Sequence, residues 1–310
     1  MAEPRMRCVT ADDIEKVLGC SLVPQIRDMC ATLDLRYRGL TMTERDAYLL
    51  DVLRVLWGEE LQKAGPHRLA EWERGWSENL AAIREHPDDA AVIPRYHGKH
   101  HLARWCQEIV SPAVPGLDYR LHRVVVDWAI SEYLRDVDAI YEFGCGPAYH
   151  LLSARKFNAK ARLVGLDWAS ASQAIIREIV AKGIESDIDG RSFDFLAPDQ
   201  SLELSSGGGV LTVAALEQVG DQHERFVEYL LAKRPSICVH LEPIEELLDQ
   251  EHLLDYLSLA YFRKRGYLSG FLTRLRQLEA DGLLRVIDAR RTYTGSYFIE
   301  GHALVVWAPL

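Results

Sequence analysis

Leu49, Leu50, Leu53, Leu56 and Trp57 recur at three- and four-residue steps, the period of a helix that buries one face. Thr43 stands just ahead as a cap, and Gly65-Pro66 supplies a stop. "TADDIEKVLGC" (10–20) repeats the device, with Thr10 before a pair of acids. "HRLAEWERGWSENLAAIREHPDD" (67–89) predicts a further helix ending near Pro87, and "LDYRLHRVVVDWAISEYLRD" (117–136) another. Between them, "VIPRYHGKHHLARW" (92–105) reads as a loop entering a helix and "SPAVPGLDYR" (111–120) as a connector. Trp57, Trp72, Trp76 and Trp105 fall in this region and are expected in its core.

The rhythm changes near Asp138. "AIYEF" (139–143) and "ARLVGLDW" (161–168) are short apolar runs closed by an acid, and "SASQAIIREIVAKG" (170–183) follows with helical spacing. "SFDFLAP" (192–198), "GGVLTVAAL" (208–216) and "SICVHLEP" (236–243) continue the series. Strand alternating with helix predicts a parallel sheet covered on both faces. "LLRVIDARRTYTG" (283–295) and "HALVVWAP" (302–309) predict an antiparallel pair at the end. The expected architecture is α/β: a doubly wound, Rossmann-like sheet with a terminal antiparallel pair (118–310), preceded by an α-helical N-terminal cap domain (1–117).

Composition narrows the function. The chain has 310 residues, 48% of them hydrophobic, so a sizeable core is available. A formal net charge of −10 argues against a protein that grips long nucleic acid through phosphates. The six scattered cysteines form no CxxC pair and fit a reducing compartment. The N-terminus carries early acids and no long apolar run, so neither a signal peptide nor a membrane anchor is expected, and a cytoplasmic location follows.

The chemistry concentrates in "YEFGCGPAYHLL" (141–152), at the end of a predicted strand, where doubly wound sheets bind ligands. Small residues there let backbone N–H groups approach a ligand. A dinucleotide fingerprint needs a third glycine, and Tyr149 stands in its place. An acid before the glycines repels a pyrophosphate but suits a cation such as a sulfonium or ammonium.

With Glu142, Gly144, Cys145, Gly146 and Ala148 in this order, and "GLDW", "SFDFLAP" and "LTVAALEQVG" following, the sequence resembles the class I S-adenosylmethionine-dependent methyltransferases from about Asp138 to Leu310. The resemblance implies S-adenosylmethionine as cofactor. It aligns Asp167 with the acid that binds both ribose hydroxyls and sets Trp168 beside the adenine. Asp194 takes the position of the acid that meets the adenine amino group, with Phe195 supplying the adjacent N–H. Leu216 and Glu217 fall on the loop that faces the methyl group. "HLEPIEELLD", "KRGYLSGFLTRL" and "VVWAP" extend the likeness to a bacterial subgroup of surface-polysaccharide and specialised-metabolite methyltransferases, which implies a small, polar acceptor.

Methyl transfer from a sulfonium is an in-line displacement, and an oxygen acceptor usually needs a base. Glu217, His240 and Glu242 lie at strand ends and are the candidate catalytic groups; His240 and Glu242 share one face of their strand. His97, His100 and His101 lie close together. His97 and His101 have the i, i+4 spacing of half a zinc site, but no third ligand is apparent and no metal is expected. His97 and His100 are instead candidate acceptor contacts, with Arg263, Arg265 and Tyr293. Arginine forks suit an anionic acceptor carrying carboxylate or phosphate. The N-terminal cap is expected to contact the acceptor or to form a homodimer interface. Alternative readings are a methyltransferase acting on RNA or protein, a non-catalytic S-adenosylmethionine-binding subunit, and an NAD-dependent reductase, which Tyr149 and the antiparallel end oppose.

Overall fold

The computed structural model of the protein describes residues 4–87, 91–94 and 100–310. The N-terminal third runs β1 (Met6–Cys8), α1 (Ala11–Leu18), α2 (Pro24–Thr32), β2 (Arg36–Gly39), α3 (Met42–Trp57), α4 (Leu69–Glu85), β3 (Ala103–Trp105) and β4 (Glu108–Pro112). Then come α5 (Leu117–Tyr133), β5 (Ala139–Phe143), α6 (Tyr149–Ala154), β6 (Arg162–Asp167), α7 (Ser170–Ala181), β7 (Ile188–Ser192), β8 (Gly209–Val213), α8 (Glu224–Lys233) and β9 (Ile237–Glu242). The chain closes with α9 (Leu253–Arg265), α10 (Phe271–Ala280), β10 (Leu284–Arg290), β11 (Thr294–Gly295) and β12 (Ala303–Pro309).

Seven strands form the main sheet in the order β10-β12-β9-β8-β5-β6-β7. The five from β9 to β7 are parallel, and β12 runs antiparallel to both β9 and β10. Chain order reverses between β5 and β8, which opens a crevice at the carboxyl ends of these strands. Alternation decides which side chain meets which layer. Ile140 of β5 joins the core beneath α5, α6 and α7, whereas Tyr141 and Phe143 join the opposite core with Phe226 of α8 and Leu275 of α10. Glu142 shares the face of Ile140, toward α6.

The N-terminal third contains more than the expected helices. Its short strands build a second, antiparallel sheet in the order β1-β2-β4-β3-β11, whose last strand comes from the far end of the chain. The 92–105 segment therefore leads into β3 and not into a helix. In α3 the cap is Thr41 rather than Thr43: Thr41 accepts from Glu44 N, and the Glu44 carboxylate reaches back to Thr41 N. The helix stops at Trp57, short of Gly65-Pro66, and Trp57 is 80% exposed rather than in a core.

A buried charge network ties the second sheet to α3, α9 and the segment after β10. Arg104 of β3, wholly buried, donates to the Leu254 carbonyl and Ser258 Oγ of α9, to the Tyr48 hydroxyl of α3 and to the Phe298 carbonyl. The buried Glu300 carboxylate lies 3.7 Å from it, and Arg291 pairs with Asp255 at 2.6 Å. Among the described residues no helix is long and apolar enough to cross a membrane.

Candidate functional site

The turn after β5 is built by close approach. Gly144 and Gly146 both have positive φ, a conformation that disfavours side chains. A Cβ on Gly144 would stand 2.2 Å from Ala215 Cβ, and one on Gly146 would stand 2.8 Å from the Trp76 ring. Ala148 takes the left-handed conformation at the start of α6 without being glycine. Asp167, at the end of β6, accepts from Gly146 N at 2.9 Å and from Ala169 N at 2.8 Å, so one carboxylate ties two strand-end turns together. Burial raises its pKa to about 6, against the pull of these two N–H bonds.

These groups line a cleft with Cys145, Trp168, Asp194 and Phe195. Trp72 and Trp76 of α4 close it from above, stacked with ring centres 5.5 Å apart. The expectation that these two are core was incomplete, since aromatic rings at helical spacing read the same whether they fill a core or roof a cleft. The free space in this cleft is about 80 Å³. Small-molecule sites usually span about 300–1,000 Å³. The cleft is narrow for a nucleoside-sized group, with the Trp76 ring packed against Gly146.

A second cavity of about 300 Å³ abuts the first. Trp72, His150, Val213, Ala214 and Gln218 line both. Its own walls include Tyr261, Tyr267 and Phe298, with Arg68, Arg265, His100, His122, His302, Asp118 and Glu217. Glu217 is held by the Gln218 side-chain amide at 3.0 Å and lies 3.7 Å from His302 Nε2. Arg265 is buried, stacks on Tyr267 at 5.2 Å and donates to the Gln62 carbonyl. His100 stacks on Tyr297 at 4.6 Å. Among the described residues no three His, Cys, Asp or Glu side chains gather as a metal site.

Several expected site residues stand elsewhere. His240 is fully buried, bonded to Thr212 Oγ1 at 2.9 Å and to Trp307 Nε1 at 2.9 Å, and burial lowers its pKa to about 3. It reaches neither cavity and is no base for a bound molecule. Glu242 is also fully buried, and its carboxylate accepts the N–H groups of Ala215, Leu216 and Glu217. Burial first, and then the charge of Glu217, raises its pKa to about 7. Glu242 thus shapes the loop after β8 and does not face a ligand. The Leu216 side chain sits in the core, and Ala214 and Ala215 line the cleft in its place. Arg263 points to solvent, while Tyr293 lies outside the second cavity, stacked under Arg291 at 4.6 Å. His97 lies outside the described residues.

Glu142 departs from expectation in another way. It is absent from the cleft wall and buried behind it, where Oε1 meets His150 Nδ1 at 2.7 Å. His150 escaped sequence reasoning because nothing local ties a carboxylate on a strand to a ring on the next helix.

The strand order bears on the fold that the resemblance implied. Three parallel strands run one way from the crevice, two run the other, and an antiparallel strand is inserted before the edge. This is the fold of the class I S-adenosylmethionine-dependent methyltransferases. No family model matches the chain, and no curated protein matches it in sequence. Solved structures do resemble it. The N-methyltransferase NodS from Bradyrhizobium japonicum WM9, in complex with S-adenosylhomocysteine, is 16% identical over 62% of this chain and 87% of its own, with a TM-score of 0.46. An O-methyltransferase from neocarzinostatin biosynthesis is 15% identical over 97% of this chain and 89% of its own, with a TM-score of 0.45. An O-methyltransferase family protein from Burkholderia thailandensis is 13% identical over 97% and 88%, with a TM-score of 0.45. At these levels the likeness is one of fold, and the site has to be argued from its own residues.

Proposed function

We propose that the protein is an S-adenosylmethionine-dependent methyltransferase acting on a small polar metabolite. The observation that carries this reading is the pair of abutting cavities at the β5/β8 crevice, one walled by the glycine turn and Asp167, the other by rings and charged groups. The donor set fits the cofactor. Asp167 offers a carboxylate to a ribose diol, Trp168 and Phe195 offer ring faces to adenine, and the Gly144–Gly146 turn admits close backbone contact. The cofactor supplies, when bound, a methyl group on a positively charged sulfur.

The chain's own residues do the rest. Asp194, whose Oδ1 accepts from Leu196 N at 2.8 Å, is available to an exocyclic amine at the rim. The Ala214–Glu217 loop, clamped by Glu242, fixes the passage between the cavities. Glu217 and His302 offer hydrogen bonds to an acceptor. Arg265 and Arg68 set a positive wall that suits a carboxylate or phosphate on that acceptor. His100 contacts its far side. The enclosing rings exclude water, which matters for a reaction whose donor is already activated. The N-terminal region, 1–117 with the loops it packs on, serves as the cap of this acceptor site. We place the protein in the cytoplasm. Net acidity supports a small acceptor over RNA.

Calorimetric titration with S-adenosylhomocysteine tests the reading. Micromolar binding, about −8 kcal/mol, is expected for the wild type. Asp167→Asn should weaken it by roughly ten- to a hundredfold, the worth of a charged hydrogen-bond partner. Absence of binding to the stripped wild-type protein overturns the proposal.

A further inference from the structure

We propose that His150, oriented by Glu142, takes the proton from a phenol-like hydroxyl on the acceptor; this rests on the methyltransferase reading above. Among the described residues, His150 of α6 is the imidazole that borders both cavities. An acceptor atom placed in line with a methyl donor in the first cavity must lie at that border.

The pair has the geometry of an oriented base. Glu142 is 1% exposed and lies 2.7 Å from Nδ1, so an ionised Glu142 accepts the Nδ1 hydrogen and leaves Nε2 as the ring nitrogen for a ligand. Among the described residues the side-chain partner of the buried carboxylate is His150, with the Leu151 backbone N–H beside it. The groups around the ring include Glu142 from β5, Tyr149 at 5.5 Å, His122 from α5 at 6.5 Å and the buried carboxylate of Asp127 from α5. An amine that arrives neutral needs no base, and a carboxylate is already ionised. A hydroxyl is the acceptor for which a positioned imidazole adds most, typically 10²–10⁴-fold. The flat walls supplied by Tyr261, Tyr267, Phe298 and Trp72 fit an aromatic ring bearing that hydroxyl.

The step balances. The acceptor O–H bond breaks and its proton moves to His150 Nε2. The oxygen electron pair forms the C–O bond with the methyl carbon. The C–S bond breaks with its electrons retained by sulfur, so a sulfonium becomes a neutral thioether. The positive charge gained by the imidazole is offset by the carboxylate of Glu142.

The test uses the full chain carrying ¹⁵N-labelled histidine, saturated with S-adenosylhomocysteine, with 4-nitrophenol as the probe. The expected result is one His150 tautomer with hydrogen on Nδ1 and a shift of the Nε2 signal on adding the phenol. Phenolate absorbance should exceed that of the free phenol at the same pH. His150→Gln should bind S-adenosylhomocysteine within about threefold of wild type, yet lose the absorbance gain. Glu142→Gln should bind both molecules and show a mixture of tautomers, which a purely structural role would not produce. A bound phenol with no Nε2 shift, or an absorbance gain that survives in His150→Gln, overturns the base assignment. Failure of the phenol to bind the saturated protein overturns the acceptor class. Failure of S-adenosylhomocysteine to bind overturns the methyltransferase reading itself.

Discussion

Trp307 donates its indole N–H to His240 Nε2 at 2.9 Å, while Thr212 Oγ1 meets the other ring nitrogen at 2.9 Å. Both nitrogens are thus engaged inside the sheet, and the ring serves stability rather than chemistry. His240→Gln should leave S-adenosylhomocysteine affinity within about twofold of wild type. The pH response gives a sharper check. A histidine whose folded pKa is lowered contributes stability that is present above the unfolded value and lost as pH falls toward the folded one. For His240 that window runs from 6.5 down to about 3. The melting temperature of the wild type should therefore fall relative to His240→Gln across this window. Parallel curves for the two proteins would refute the assignment.

Glu242 holds three consecutive N–H groups of the loop between the cavities. Glu242→Ala should cost about 2–3 kcal/mol, since buried donors lose their acceptor. Methyl transfer should fall with it, because Ala214 and Ala215 line the cleft. A variant of normal stability with lost activity would restore Glu242 as a direct participant. Melting curves and turnover, measured on the same sample, separate the two.

Gly144→Ala should be worse for cofactor binding than Gly146→Ala. At Gly144 the obstacle is Ala215 Cβ, whose backbone is clamped by Glu242; at Gly146 it is a tryptophan ring that can swing. Both carry the left-handed penalty, about 1–2 kcal/mol for a residue with a Cβ. Calorimetry with S-adenosylhomocysteine should show the order wild type, Gly146→Ala, Gly144→Ala. Equal losses would mean that Trp76 is as fixed as the loop.

Trp76 packs on Gly146, so a nucleoside seated there should displace the ring, and this should be visible. Tryptophan fluorescence should change on adding S-adenosylhomocysteine, and Trp76→Phe should remove a large share of that change while preserving binding. An unchanged signal in the variant would assign the response to Trp72 or Trp168 instead.

Arg265 and Arg263 lie close in sequence but differ in place, one buried beside the second cavity and one in solvent. Arg265→Lys should raise the acceptor Michaelis constant severalfold without altering cofactor affinity. Arg263→Ala should do neither. A similar effect from both would remove the case for a charged wall.

Most of the main sheet was readable because buried parallel strands show as apolar runs, and the turns after β5 and β6 because their acids and glycines adjoin those runs; β7 was not, since "IDGRS" is a polar, partly exposed edge strand that ends where the expected run "SFDFLAP" begins. The second sheet was not. Its strands, "MRC", "RYRG", "ARW" and "EIVSP", are short and polar, and they pair across long stretches of chain, so no local pattern marks them. The site divides the same way. Gly144, Gly146, Asp167 and Phe195 announce themselves through sequence neighbours. His150, His122 and Trp76 belong to the site only through packing. Periodicity correctly put His240 and Glu242 on one face, but it could not say that this face is roofed by Trp307 and Phe271.

One wall of the second cavity comes from Thr294 to His302, the excursion between β10 and β12 that carries β11 across to pair with β3. The glycine turn and Asp167 lie in a different stretch of chain. Under the proposed function, mutation in that excursion retunes which molecule is accepted while the donor half stays untouched. A lineage with this architecture can diversify its substrates by editing one short loop.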